Sequence, residues 1–198
     1  MTKYVVQSGG IKNHPDLKKN FHRELVKGLG VTPSFLLCNF AQGREYWESK
    51  FQGYSDSIRE DIPKNIKPTF TLAMPGEFIK QCEQADVIYF HGGDDYLLQC
   101  WMRQFDIPNL FDNKVIATNS AGSNMISTHY WTCDWRQCND GLGILPIKFV
   151  PHYKSSFGAN DPRGPIDWDN VKHELSKYGD VNLPIYALKE GEFKIFEV

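Results

Sequence analysis

No uninterrupted apolar run in this chain approaches the roughly 20 residues that cross a bilayer, and its first residues, Met1-Thr2-Lys3-Tyr4-Val5-Val6-Gln7, lack the long apolar core of a secretion signal. A soluble, cytoplasmic protein is expected. Neither sign of charge dominates: 22 Lys and Arg stand against 24 Asp and Glu, for a formal net charge of −2. No polyelectrolyte attraction therefore points to nucleic acid or an anionic membrane as partner. Cysteine is sparse and odd in number, and Cys38, Cys82, Cys100, Cys133 and Cys138 are scattered through apolar or mixed segments. That pattern fits reduced, mostly buried thiols rather than a disulfide framework. His129 precedes Cys133 and Cys138, but no second pair of ligands follows at comparable spacing, so no metal site is expected. Repeats and low-complexity tracts are also missing.

What remains is an ordinary globular composition, with 198 residues, 41% of them hydrophobic and 14% aromatic. One sizeable core and a single domain over residues 1–198 are expected. Short apolar runs alternate with amphipathic stretches. Tyr4-Val5-Val6, Ser34 to Phe40, Thr69 to Leu72, Asp86 to Phe90 and Lys114 to Thr118 predict strands. Between them Asp16 to Leu29, Glu45 to Ile58, Pro75 to Glu83 and Tyr96 to Phe105 carry helical spacing. Continuous apolar strands joined by helices predict a three-layer α/β/α fold around a mostly parallel sheet. Further on, Leu145 to Val150 predicts a strand, Asp167 to Tyr178 a helix, and Ile185 to Leu188 with Phe193 to Phe196 a hairpin turned at Glu190-Gly191.

Open sheets of this kind hold ligands beyond the carboxyl ends of their strands. His91-Gly92-Gly93, Asn119-Ser120-Ala121-Gly122 and Pro151-His152-Tyr153 all fall at such ends. The second of these predicts a tight strand-to-helix turn that holds the Ser120 hydroxyl above the sheet, a nucleophile elbow, with His129 inside the helix that Ser120 opens. Serine needs a base, and His152, after a rigid Pro151, is the best candidate. His91 and His129 are weaker ones. Asp134 and Asp140 are both open as the carboxylate that would fix the imidazole tautomer. Oxyanion donors would come from the amide of Ala121 and from the Gly92-Gly93 turn.

These segments together resemble the peptidase E family of aspartyl dipeptidases, serine peptidases of the class I glutamine amidotransferase-like (flavodoxin-like) fold. The resemblance spans nearly the whole chain. It is carried by Tyr89-Phe90-His91-Gly92-Gly93-Asp94, Asn119-Ser120-Ala121-Gly122-Ser123-Asn124, Gly141 to Pro146 running on to Pro151-His152-Tyr153, and Ala187 to Gly191. It implies Ser120 as nucleophile, His152 as base, Asp134 as acid, and Gly93 with Ala121 as oxyanion donors. It also implies a small peptide substrate, an N-terminal Asp dipeptide among the choices, with Arg163 reading the acidic side chain and Arg136 or Lys154 as alternatives. No metal or organic cofactor is implied, and a homodimer is compatible with the reading. Thr118 stands where the family has Gly, which predicts a crowded elbow, and Asp94 stands where it has Asn, which predicts a carboxylate against the substrate. These departures motivate a catalytically silent protein as an alternative, beside a cyanophycinase-like hydrolase.

Overall fold

The computed structural model describes residues 1–107 and 109–198. Five strands run parallel: β1 (Lys3–Gln7), β2 (Ser34–Cys38), β4 (Val87–Phe90) and β5 (Val115–Asn119), short apolar runs buried on both faces, and the more exposed edge strand β3 (Thr69–Leu72). β10 (Phe193–Glu197) closes the edge antiparallel to β1, and the order across this six-stranded sheet is β10-β1-β5-β4-β2-β3. Alternate residues face opposite layers. Val5, Phe35, Leu37, Val87, Tyr89 and Ala117 pack on α1 (Pro15–Val26) and α2 (Trp47–Asp61), through Phe21, Leu25 and Ile58 among others. Val6, Leu36, Ile88, Phe90 and Ile116 face α3 (Phe78–Gln84), α4 (Asp95–Met102) and α6 (Ala121–Ile126) instead. A further short helical turn, α5, spans Ile107–Leu110. The three-layer, mostly parallel α/β architecture is thus present, and no helix among the described residues is long and apolar enough to cross a membrane.

Beyond the elbow the chain departs from expectation in two places. The helix opened by Ser120 has only six residues, after which Ser127–Thr132, rich in β-branched and aromatic side chains, becomes β6. His129 therefore lies on a strand. β6 joins β7 (Gln137–Asp140), β8 (Leu145–Val150) and β9 (Ile185–Ala187) in a second, four-stranded sheet of order β7-β6-β8-β9, backed by α7 (Trp168–Lys177). The expected hairpin of the last two strands is likewise absent: β9 pairs parallel with β8, while β10 pairs with β1 in the other sheet. The Glu190-Gly191 turn consequently crosses from one sheet to the other. Lys148, fully buried on β8, donates from Nζ to the carbonyls of Leu175, Ser176 and Tyr178 at 2.8, 3.3 and 2.6 Å, capping the carboxyl end of α7.

Candidate active site

β5 ends at Asn119 and α6 begins at Ala121, so the whole change of direction falls on Ser120. Its backbone sits at φ 44°, ψ −107°, a conformation that costs a non-glycine residue on the order of 1–3 kcal/mol and persists only where the surroundings enforce it. The enforcing bonds are visible. Ser120 N–H donates to the Gln7 carbonyl at 3.0 Å, and its own carbonyl accepts from Asn124 N–H at 2.9 Å. Thr118 leaves the elbow intact. Its hydroxyl is paired with Ser123 at 2.8 Å, and Ser123 in turn bonds the Gln7 carbonyl at 2.8 Å, so the extra side chain ties strand to helix instead of crowding Ser120.

His152 follows β8 across Pro151 and also carries a positive φ, 53°. It is held from three sides. Its N–H donates to Ser8 Oγ at 2.7 Å while that hydroxyl donates to the Leu188 carbonyl at 2.8 Å, and its ring stacks on Phe157 with centroids 4.3 Å apart. Nε2 lies 3.1 Å from Ser120 Oγ, and Nδ1 lies 3.0 Å from Glu190 Oε1. Burial lowers the imidazole pKa from its ordinary value, against the hydrogen bond and charge of Glu190, which raise it, as does the charge of Asp134. The balance leaves a neutral ring at neutral pH, the state that can accept a proton from serine.

Neither Asp134 nor Asp140, the carboxylates expected on Nδ1, takes that position. Asp140 faces His129 across the β6–β7 pair and binds its Nδ1 at 2.7 Å. Asp134 lines the cleft beside Ser120, near enough to His152 for their charges to interact, with its own pKa raised by burial and by the neighbouring Asp95. Glu190 reaches the imidazole from the turn Lys189–Glu192, closed by Glu192 N–H donating to the Lys189 carbonyl at 3.0 Å, with Gly191 at φ 82°. Gly191 N–H donates to the Gly9 carbonyl at 2.9 Å, which docks this turn on the loop after β1. A side chain at Gly9 would place its β-carbon 2.6 Å from His152 Nε2, and one at Gly10 would collide with the Glu190 carboxyl. The loop Ser8-Gly9-Gly10 is therefore the floor on which base and carboxylate meet. Glu190-Gly191 reads in sequence only as a turn, and nothing there distinguishes Glu190 from Glu192.

The remaining expected residues divide. Gly93 lines the cleft, and Ala121 opens α6 directly after Ser120; among the described residues neither amide donates to a protein acceptor, and both belong to the turns that flank the hydroxyl. Asp94 is the N-cap of α4, its Oδ1 accepting from Leu97 N–H at 2.9 Å, which gives the carboxylate a structural use. Arg163 does not line the cleft. Its guanidinium is taken by Asp161 at 2.9 and 2.6 Å and by the Asp134 carbonyl at 2.7 Å. Arg136 bonds the Gly164 carbonyl at 2.5 Å, and Lys154 lies over the Tyr153 ring. His91 is fully buried, stacked 3.5 Å from Tyr54, and its pKa is held well below the ordinary value by burial.

The cleft over Ser120 encloses about 660 Å³, lined among others by Gln7, Gly9, Lys12, Lys50, Tyr54, Gly93, Asp134, His152 and Phe157. A serine hydroxyl, a neutral buried imidazole, a carboxylate behind it and free amides at a helix start are the parts of an acyl-transfer site. The model of peptidase family S51 matches residues 69–195, which include the Gly92-Gly93 turn, Ser120, His152 and Glu190. The fold is similar to the crystal structure of a peptidase from an acI-B1 Actinobacterium, at 21% identity over 99% of this chain and 83% of that one, with a TM-score of 0.63. It is also similar to a protein from Listeria monocytogenes EGD-e assigned as a peptidase E, at 13% identity over 100% and 99% of the two chains, again with a TM-score of 0.63. A search of curated proteins finds no match.

Proposed function

This chain belongs to peptidase family S51 and is a serine-type peptidase, and from that premise we propose that it hydrolyses small peptides, N-terminal Asp dipeptides among them, through a Ser120-His152-Glu190 triad. Ser120 Oγ attacks the scissile carbonyl while His152 Nε2 takes its proton. Glu190 accepts the Nδ1 proton's hydrogen bond and stabilises the imidazolium that forms. The amides of Gly93 and Ala121 face the oxyanion, aided by the positive end of α6. Collapse of the tetrahedral intermediate breaks the C–N bond, His152 returns its proton to the leaving amine, and an acyl-enzyme on Ser120 remains. Water, deprotonated by the same nitrogen, releases it. Each of these steps uses side chains and amides of the chain itself.

The observation that carries this reading is the pair of contacts on one imidazole, 3.1 Å to Ser120 Oγ and 3.0 Å to Glu190 Oε1. An aryl phosphonate tests it. A stable adduct on Ser120, found by peptide mapping and absent in His152→Gln, is expected; an unlabelled Ser120 in protein that still cleaves short peptides would reject the mechanism.

A further inference from the structure

Charged side chains of both signs line the cleft that holds Ser120: Lys12, Lys50 and Asp134. Nearby Lys18 is occupied, 3.3 Å from Asp61 and bonded to Ser57, whereas among the described residues Lys12 and Lys50 have neither a carboxylate nor a hydrogen-bond acceptor. Lys12 lies in the short turn Ile11–Asn13 between β1 and α1, and Lys50 on one face of α2. Lys50, Gly53, Tyr54 and Ser57 recur at the i, i+3, i+4, i+7 spacing that brings side chains onto a common stripe, and all four line the cleft.

Gly53 supplies an independent observation. It sits in the middle of a 15-residue helix, where glycine is a poorer choice than alanine, and an added β-carbon would meet nothing within 4 Å. Packing does not require a glycine there. What the missing side chain does is leave a notch between Lys50 and Ser57, open to the cleft. A notch beside the unpaired Lys50 ammonium, in a cleft that Lys12 also lines, suits a carboxylate, which an ammonium holds as a point charge without demanding one orientation. The guanidinium expected for that task is already held by Asp161.

We propose that Lys50 and Lys12, with the notch at Gly53, form the subsite that receives a carboxylate of the substrate, and that this subsite determines specificity. The inference rests on the peptidase reading for the identity of the ligand. The carboxylate has two sources in a short peptide, the side chain of an acidic residue on the acyl side or the free C-terminus of the leaving residue.

Calorimetric titration of the Ser120→Ala protein tests this without turnover. The probes are two pairs: Asp-Ala amide against Asn-Ala amide, and Ala-Ala against Ala-Ala amide. The charged member of one pair is expected to bind about tenfold more tightly than its neutral partner, and the pair that shows the preference identifies the source. Lys12→Met with Lys50→Met should abolish the preference, while Gly53→Leu should weaken all binding and leave the thermal midpoint unchanged or higher. Equal affinities within both pairs, a preference that survives loss of both lysines, or no binding of any probe would overturn the proposal. Lysine-dependent binding by a protein that hydrolyses nothing when Ser120 is present would keep the subsite and reject the peptidase mechanism instead.

Discussion

The two sides of His152 are built in opposite ways. On the Nε2 side the chain does everything locally: β5, Ser120 and α6 are consecutive, so an apolar run that ends in Asn-Ser-Ala-Gly already contains the strand, the bend and the helix. On the Nδ1 side nothing is local. Glu190 lies 38 residues from His152 and arrives through a turn that links the two sheets, resting on Gly9 and Gly10 from the far end of the chain. The serine and its bend are thus encoded within one strand-to-helix junction, while the carboxylate that meets the imidazole depends on how two sheets are joined.

The largest expected effect comes from the local side. Ser120→Ala should lower kcat for a short peptide by about 10⁴-fold or more, leaving only what binding and the oxyanion amides supply. Ser120→Gly should do the same while raising stability by about 1 kcal/mol, because glycine accepts the backbone that serine is forced into. Urea unfolding of the pair would measure it. The distant side is expected to fail more gradually: Gly9→Ala pushes on the His152 ring, and a displacement of about 1 Å should cost about 10²-fold in kcat with little change in KM.

The sheet that presents His152 should respond in stability. Lys148→Met strands three carbonyls at the end of α7 and should cost about 2 kcal/mol, read as a lowered urea midpoint. The smallest effect concerns pH. His22, His91 and His152 all have pKa values lowered by burial, so the unfolded chain binds more protons than the folded one below about 6.5. Stability should be complete above that pH and decline as pH falls toward 5, and His91→Phe should flatten the decline.

The sequence makes the first of these two sides legible and hides the second, for physical reasons. Runs such as Val87–Phe90 and Val115–Asn119 identify parallel strands because both faces are buried, and the pockets at their carboxyl ends follow. Ser127–Thr132 is harder to read, since it follows a helix of only six residues with no glycine or proline between. Its partner Asp140 is drawn to His129 by that strand pairing, which takes it away from His152. Asp134 does reach the cleft but not the imidazole nitrogen. The turn at Glu190-Gly191 carries an ordinary turn sequence, and only the separation of β9 from β10 into different sheets brings Glu190 to His152. Arg163, two residues from Asp161, illustrates a local ion pair capturing a group that the sequence leaves free for substrate.

Glu190→Gln beside Asp134→Asn, compared as pH profiles of kcat/KM on one short peptide, tests the central claim most directly. The unsubstituted protein should lose activity in acid with a midpoint below about 6.5, because burial depresses His152. Glu190→Gln should cost about 10³-fold and move that midpoint lower still, since the carboxylate that raises the His152 pKa is gone, whereas Asp134→Asn should stay within about tenfold. The reverse ranking, with Asp134→Asn inactive and Glu190→Gln near normal, would contradict the account.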